Sequence, residues 1–154
     1  MTIQTNTMAP DFALPDENGT LTTLSSFRGK PVVLYFYPKD DTSGCTTEAC
    51  SFRDDYSTYQ EAGVVVLGVS PDSAQSHTNF KNKYNLPFTL LADDGHKVCE
   101  LYGAWGRKKF MGREYDGVLR TTFLIGPDGT ILKVFNNVKP DGHSAQVFAA
   151  LQKS

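Results

Sequence analysis

The chain of 154 residues has little of several features that would place it in a specialised class. It has only three cysteines, an odd number, which excludes a fully paired disulfide scaffold of the secreted kind. It has no large excess of either charge, with 15 Lys and Arg against 17 Asp and Glu. This near balance argues against a nucleic-acid-binding protein, which would need a basic surface. The longest apolar runs, Val32–Tyr37 and Val64–Leu67, fall far short of the ~20 residues that a membrane span needs.

The first eight residues also contain no Lys or Arg and no apolar core, so they are not expected to act as a signal peptide. We therefore expect a cytoplasmic protein whose thiols stay reduced, with neither a membrane nor a nucleic acid as partner. The remaining composition is ordinary for a globular protein, with 40% hydrophobic and 21% charged residues. Length and composition together predict a single domain over residues 1–154.

Short β-rich and helical segments alternate along most of the chain. The predicted strands are Phe12–Leu14, Leu21–Leu24, Pro31–Tyr37, Val64–Ser70, Phe88–Leu91, Leu119–Ile125 and Thr130–Phe135. The predicted helices are Ser43–Gly63, Ser73–Tyr84, Gly95–Tyr102 and Gly142–Leu151. This order predicts an α/β fold with helices flanking a largely parallel central sheet. The first two strands form an N-terminal β extension, and the closing hairpin around residues 126–129 makes the central sheet mixed.

Cys45 occupies the most informative position, because it follows a buried strand and a polar turn and then opens a helix. Ligands in α/β sheets bind outside the carboxyl ends of strands, and free helix N–H groups stabilise an anion there. A free cysteine with a pKa of about 8.5 is only ~3% thiolate at pH 7, and a helix terminus alone contributes about 0.3–1 kcal/mol. A reactive Cys45 would therefore need a nearby cation as well.

Five arginines could supply that cation. Arg53 lies on the same predicted helix roughly 12 Å along its axis, which is too far for contact. Arg120 is the first choice, because a residue at the start of a strand can be held rigidly beside a helix N-terminus. The spacing alone does not exclude Arg113 or Arg107.

Cys50 lies five residues after Cys45 on the same predicted helix. In an intact helix this spacing separates the two Cα atoms by roughly 8.7 Å, whereas a disulfide needs less than about 7 Å. A bond between these cysteines would therefore require the first turns of the helix to unwind. Without such a bond, Cys50 is an ordinary small helix residue.

Residues 36–54 read FYPKDDTSGCTTEACSFRD, and this run resembles the active-site motif of the peroxiredoxins, in particular their bacterioferritin-comigratory-protein (BCP) or PrxQ branch. Further matching segments are Ala9–Phe12, Leu24–Gly29, Gly68–Ser70 and Arg120–Ile125. The resemblance implies a thioredoxin-like fold and a thiol-dependent peroxidase that uses neither a cofactor nor a metal.

The resemblance also implies a role for each matching residue. Cys45 would be the thiolate that attacks the peroxide, and Cys50 would resolve the resulting sulfenic acid as a disulfide. Thr42 would donate a hydrogen bond to Cys45 and to the peroxide, and Pro38 would shield the sulfenic acid from water. Arg120 would hold both the thiolate and the peroxide.

Further expectations follow from the same resemblance. Glu48 falls where the family orients the arginine, and Ser43 replaces a proline common in this branch, which leaves the loop slightly less rigid. The implied substrates are hydrogen peroxide and organic hydroperoxides, and the implied reductant is thioredoxin. Resolution within one chain requires no dimer, so a monomer is expected.

Two other functions compete with the peroxidase. A general dithiol–disulfide oxidoreductase would favour a Cys-x-x-Cys spacing, whereas four residues separate Cys45 and Cys50. A redox-sensing interaction protein could use the same pair of thiols as a switch.

The remaining polar and cysteine residues are interpreted as structural. Cys99 is predicted to be a buried helix residue, and residues 107–109 a solvated basic loop. The histidines at 77, 96 and 143 have no ligand spacing and are expected on the surface rather than in a metal site. The pairs Asp40–Asp41, Asp54–Asp55 and Asp93–Asp94 are interpreted as caps and surface charge.

Overall fold

A computed structural model describes residues 3–153. The strands in this range are β1 (Ala13–Pro15), β2 (Leu21–Thr23), β3 (Val32–Phe36), β4 (Val65–Ser70), β5 (Thr89–Ala92), β6 (Trp105–Phe110), β7 (Arg113–Val118), β8 (Thr121–Ile125) and β9 (Ile131–Phe135). The helices are α1 (Ser43–Asp54), α2 (Tyr56–Glu61), α3 (Ala74–Tyr84), α4 (Lys97–Leu101) and α5 (His143–Gln152). None of these helices is long and apolar enough to cross a membrane.

The central sheet has five strands in the order β5-β4-β3-β8-β9. Strands β3, β4 and β5 are parallel, whereas β8 and β9 are antiparallel to their neighbours. The α/β class and the mixed sheet flanked by helices are therefore confirmed. The N-terminal hairpin of β1 and β2 is confirmed as well, as is the closing hairpin of β8 and β9.

The two faces of the sheet carry separate apolar clusters, because successive side chains of a strand point to opposite faces. On β3, Leu34 and Phe36 join a cluster that the N-terminal segment and α4 cover. Val33 and Tyr35, followed by Tyr37, join a second cluster that includes residues of α1, α2, α3 and α5. Cys45 belongs to the second cluster.

The predicted continuous helix Ser43–Gly63 is wrong, since two helices, α1 and α2, meet at Asp55. The hydroxyl of Ser144, on α5, lies within hydrogen-bond distance of the carbonyl of Ser51 and the carboxylate of Asp55, and these two acceptors share its single proton. The break thus depends on a contact with a residue far along the chain, which the local apolar period does not reveal.

The prediction of a solvated loop at residues 107–109 is also wrong, because these residues lie in β6 and pair with β7. The strands are joined at Met111 and Gly112, both with positive φ (51° and 79°). Arg107 and Lys109 are exposed, whereas Lys108 is half-buried.

Candidate active site

Cys45 lies in the first turn of α1, close to the carboxyl end of β3. Its side chain is only 1% exposed and packs in the cluster between α1 and the sheet. The helix begins normally, with the amide of Thr46 donating to the carbonyl of Thr42 at 2.8 Å. The thiol therefore lies in a closed setting beside the N-terminal end of a helix.

Arg120 reaches this thiol from the neighbouring strand. Phe36 at the end of β3 pairs with Thr121 at the start of β8, so the residue preceding β8 lies beside the segment that leads into α1. Arg120 Nη2 donates to the Sγ of Cys45 at 3.3 Å. The antiparallel pairing of β3 and β8 thus supplies a cation close to the sulfur.

Glu48 binds the other side of the same guanidinium. Arg120 Nη1 donates to Glu48 Oε1 at 2.6 Å, and the Glu48 side chain is fully buried. Burial raises the pKa of Glu48 to about 7, although the charge and hydrogen bond of Arg120 act in the opposite direction. Burial lowers the pKa of Arg120, but Glu48 and Cys45 outweigh it and raise that pKa above its ordinary value.

Lys108 is a second cation near the site that the sequence analysis assigned only to solvent. Its Nζ donates to the carbonyl of Val118 at 2.9 Å, two residues before Arg120. Burial and the charge of Arg120 lower the pKa of Lys108, while Cys45 raises it. Lys108 therefore lies within electrostatic range of both groups.

Thr42 and Pro38 flank the segment that connects β3 to α1. Thr42 is exposed and precedes the first residue of α1. Its hydroxyl donates to the carbonyl of Lys39 at 2.9 Å and not, as the resemblance implied, to Cys45. Pro38 is half-buried and follows Tyr37 directly. Both residues thus belong to the segment that carries Cys45, while their contacts with a peroxide stay a prediction.

Cys50 is half-buried on the same continuous helix as Cys45, and both are free thiols. Because α1 is intact over Ser43–Asp54, its helical geometry keeps the Cα atoms of the two cysteines roughly 8.7 Å apart. A disulfide between the two cysteines requires α1 to unwind locally.

Cys99 is fully buried on α4, as predicted, and belongs to the cluster on the opposite face of the sheet from Cys45. Burial and the neighbouring carboxylate of Asp93 raise its pKa strongly. A thiol in this setting is a poor nucleophile and has no route to Cys45 without rearrangement of the sheet.

Comparisons with known proteins identify relatives over almost the whole chain. Residues 5–134 match the model of the AhpC/TSA family. The putative peroxiredoxin bcp of Coxiella burnetii is 53% identical over 151 residues, covering 98% of this chain and 100% of that protein. The peroxiredoxin Bcp of Bacillus subtilis is 48% identical over 152 residues, covering 99% and 97%.

The chain belongs to the AhpC/TSA family, in its Bcp/PrxQ group of peroxiredoxins. A crystal structure of a cysteine-to-serine mutant of PrxQ from Xylella fastidiosa superposes with a TM-score of 0.94 at 31% identity, covering 99% of this chain and 98% of that one. The bacterioferritin comigratory protein of Xanthomonas campestris gives a TM-score of 0.87 at 38% identity, covering 92% and 90%. The thioredoxin-like peroxiredoxin fold is thereby confirmed.

Several buried polar groups of this peroxiredoxin contradict the sequence analysis. The histidines at 77 and 143 are buried, although both were predicted at the surface, and Asp40 and Asp93, which were predicted to be caps or surface charge, are buried as well. Asp93 does act as a cap, since it accepts from the first amides of α4. Part of the reason for these differences is that key partners lie far along the chain, such as His77 for Asp40 and Thr122 for His143.

His143 illustrates how such a group is accommodated. Its Nδ1 donates to Gln146 and its Nε2 accepts from the hydroxyl of Thr122, at 3.0 and 2.8 Å. Burial lowers the pKa of His143, so the ring is neutral. Within residues 3–153, no group of three or more His, Cys, Asp or Glu side chains is arranged to hold a metal ion.

Proposed function

We propose that this peroxiredoxin reduces hydrogen peroxide and organic hydroperoxides through the thiolate of Cys45. The observation that carries the proposal is the hydrogen bond from Arg120 to the Sγ of Cys45 at the start of α1. A cation and free helix N–H groups together favour the thiolate, which is the nucleophilic form. The bacterioferritin comigratory protein of Xanthomonas campestris has alkyl peroxide reduction activity, which supports organic hydroperoxides as substrates.

In the first step the sulfur of Cys45 attacks the terminal oxygen of the hydroperoxide. An S–O bond forms while the O–O bond breaks, so the sulfur is oxidised to a sulfenic acid and the peroxide is reduced. The leaving alkoxide or hydroxide takes a proton from solvent. Arg120 and the hydroxyl of Thr42 stabilise the charge that develops on the oxygens, and Pro38 keeps water from the sulfenic acid.

In the second step the thiol of Cys50 attacks the sulfenic sulfur, an S–S bond forms and water leaves. This step requires α1 to unwind, because the intact helix keeps the two cysteines too far apart. A dithiol reductant, which we assign to thioredoxin, then restores both thiols by exchange. Since both cysteines lie on one chain, the cycle needs only a monomer, and it suits the reducing conditions of the cytoplasm.

The test is hydroperoxide-dependent NADPH consumption in the presence of thioredoxin and thioredoxin reductase. We expect turnover by the wild type, none by Cys45→Ser, and near-wild-type turnover by the matched control Cys99→Ser. Absence of turnover in the wild type, or its persistence in Cys45→Ser, contradicts the proposal.

Resolution is tested separately with Cys50→Ser. We expect this variant to react once with peroxide and then accumulate sulfenic or overoxidised Cys45, whereas the wild type shows a Cys45–Cys50 link by mass spectrometry. Normal turnover of Cys50→Ser with thioredoxin would remove Cys50 from the mechanism.

A further inference from the structure

Behind the active-site segment lies a buried pair of hydrogen-bonded side chains that the proposed cycle does not use. Asp40 belongs to the segment Pro38–Thr42, and its side chain is 4% exposed. His77 lies on α3 with its side chain fully buried, and its Nδ1 is 2.7 Å from Asp40 Oδ2. The two residues connect the segment that precedes Cys45 to the body of the fold.

The surrounding hydrogen bonds place one proton between these side chains. Nε2 of His77 lies 2.9 Å from the carbonyl of Leu91, which can only accept, so Nε2 donates. The carboxylate of Asp40 already accepts from the hydroxyls of Tyr37 and Ser76, at 2.6 and 2.8 Å. Two lone pairs facing each other at 2.7 Å would repel, so a proton joins Nδ1 to Oδ2 in a charge-assisted bond.

Further hydrogen bonds hold the segment Pro38–Thr42 close to this pair. The amide of Asp40 donates to Asp72 Oδ2 at 2.7 Å, and the same oxygen accepts from the hydroxyl of Ser70 at the end of β4, at 2.8 Å. The next residue, Asp41, accepts from the hydroxyl of Tyr84 on α3 at 2.8 Å. Within residues 3–153, these bonds connect the segment to α3, β4 and β5, and none of them involves α1.

We propose that Asp40 and His77 form a positioning pair that holds Pro38–Thr42 in place while α1 unwinds and rewinds around Cys45. This inference rests on the proposed function, because it assumes that Cys45 alternates between a folded and an unwound α1. Disulfide formation moves the chain after Cys45, whereas the next attack needs the residues before it in their original positions. A pair bound to the sheet and to α3 confines the movement to one side of Cys45.

Two substitutions of His77 separate positioning from simple stability. His77→Asn keeps an amide donor near the position of Nδ1 and so retains a bond to Asp40. His77→Gln places its donor near the position of Nε2 and retains the bond to Leu91 instead. Both variants remove the same ring from the core, so both should lower the unfolding temperature to a similar extent.

The measurement is the second-order rate constant of the reduced protein with hydrogen peroxide, from rapid alkylation and mass spectrometry of Cys45. Loss of a charge-assisted hydrogen bond predicts a fall of about tenfold to hundredfold in His77→Gln, and at most about threefold in His77→Asn. Asp40→Ala removes the same bond together with those from Tyr37 and Ser76, so its rate constant should fall at least as far as that of His77→Gln. The double variant His77→Gln/Asp40→Ala should be no slower than the slower of the two single variants, because the bond between His77 and Asp40 is already absent in each of them.

A wild-type rate in Asp40→Ala, or an equal fall in both His77 variants, overturns the inference. Should His77→Gln not fold, Asp40→Ala decides alone, with a slower reaction in support and an unchanged one against. Failure of the proposed function is a different result, in which the wild type itself shows no oxidation of Cys45 by hydrogen peroxide.

Discussion

Cys45 and Glu48 are bound to the same guanidinium, with Arg120 Nη2 3.3 Å from the sulfur and Nη1 2.6 Å from the carboxylate. The two residues are three positions apart on α1, so their side chains share one face of the helix. The second oxygen of Glu48 is buried and has no hydrogen-bond partner within residues 3–153. The protonation state of Glu48 therefore determines how much of the positive charge of Arg120 is available to the sulfur.

Replacing Glu48 with Gln should change how stability depends on pH. The pKa of Glu48 is about 7 in the folded protein against 4.5 as its ordinary value, so the folded state holds a proton that the unfolded state releases. This contribution to stability is fully present below pH 4.5 and is lost as the pH rises through about 7. The loss is on the order of 3 kcal/mol.

Urea unfolding of both proteins measures this effect. The measurements run from about pH 4 to about pH 8, because this range includes both the ordinary and the raised pKa of Glu48. The free energy of unfolding of the wild type minus that of Glu48→Gln should decrease with rising pH. A difference that does not change with pH contradicts the shift at Glu48.

Gly44→Ala should slow the reaction with peroxide without destabilising the protein. An added Cβ at this position lies 3.1 Å from Arg120 Nη2, so the guanidinium must shift from the position in which it binds Cys45. A displacement of a few tenths of an ångström predicts a rate constant about tenfold lower. Alanine favours helix by up to about 1 kcal/mol over glycine, so the unfolding temperature should not fall.

The matched control for this change is Ser43→Ala, at the exposed neighbouring position. We expect it to react at the wild-type rate. Equal rates for Gly44→Ala and Ser43→Ala would show that the close approach of Arg120 has no effect on the reaction.

Thr47→Ala should slow disulfide formation while leaving the first reaction with peroxide unchanged. Thr47 is exposed on α1, and alanine stabilises an exposed helical position by about 0.5 kcal/mol, which predicts roughly twofold slower unwinding. Thr58→Ala makes the same change on α2, outside the segment that unwinds. Rapid quenching with mass spectrometry of the Cys45–Cys50 link distinguishes the two, and equal slowing in both variants would show that the unwinding is not confined to α1.

Cys99→Ala should leave the redox chemistry unchanged and lower stability by about 1 kcal/mol, the expected effect of removing a small buried side chain. Cys99 packs in the cluster opposite the one that holds Cys45. Peptide mapping after peroxide treatment should find the same Cys45–Cys50 link as in the wild type. Any link that involves Cys99 in the wild type contradicts this placement.

Much of the fold follows from local sequence patterns, since the continuous apolar run of β3 and the Gly-Pro-Asp-Gly turn before β9 each specify their element directly. The β6–β7 hairpin escapes this reasoning for two physical reasons. Most of its side chains are exposed, so no apolar alternation marks the strands. Its turn also places Met111 at φ 51°, where Asn or Asp would be the usual signal.

The candidate site can also be predicted from the sequence only in part. The position of Cys45 at the end of a strand and the start of a helix is visible in the sequence. Sequence spacing does not identify the arginine that binds Cys45, since it also allowed Arg113 and Arg107. Arg120 reaches Cys45 through the pairing of β3 with β8. His77 could not be identified as buried, since its partners Asp40 and Leu91 belong to other elements.

The break at Asp55 limits how far a disturbance of α1 can spread. Ser144 lies within hydrogen-bond distance of both Asp55 and the carbonyl of Ser51, so we expect residues 43–61 to behave as two cooperative units rather than one. We therefore expect α1 and α2 to open independently in amide hydrogen exchange. The amides around Cys45 and Cys50 should exchange through local opening of α1, which is more frequent than opening of both helices together. The energy needed to bring the two sulfurs together is therefore expected to be that of a few helical turns, with the hydrogen bond from Tyr59 on α2 to the carbonyl of Ser144 left in place.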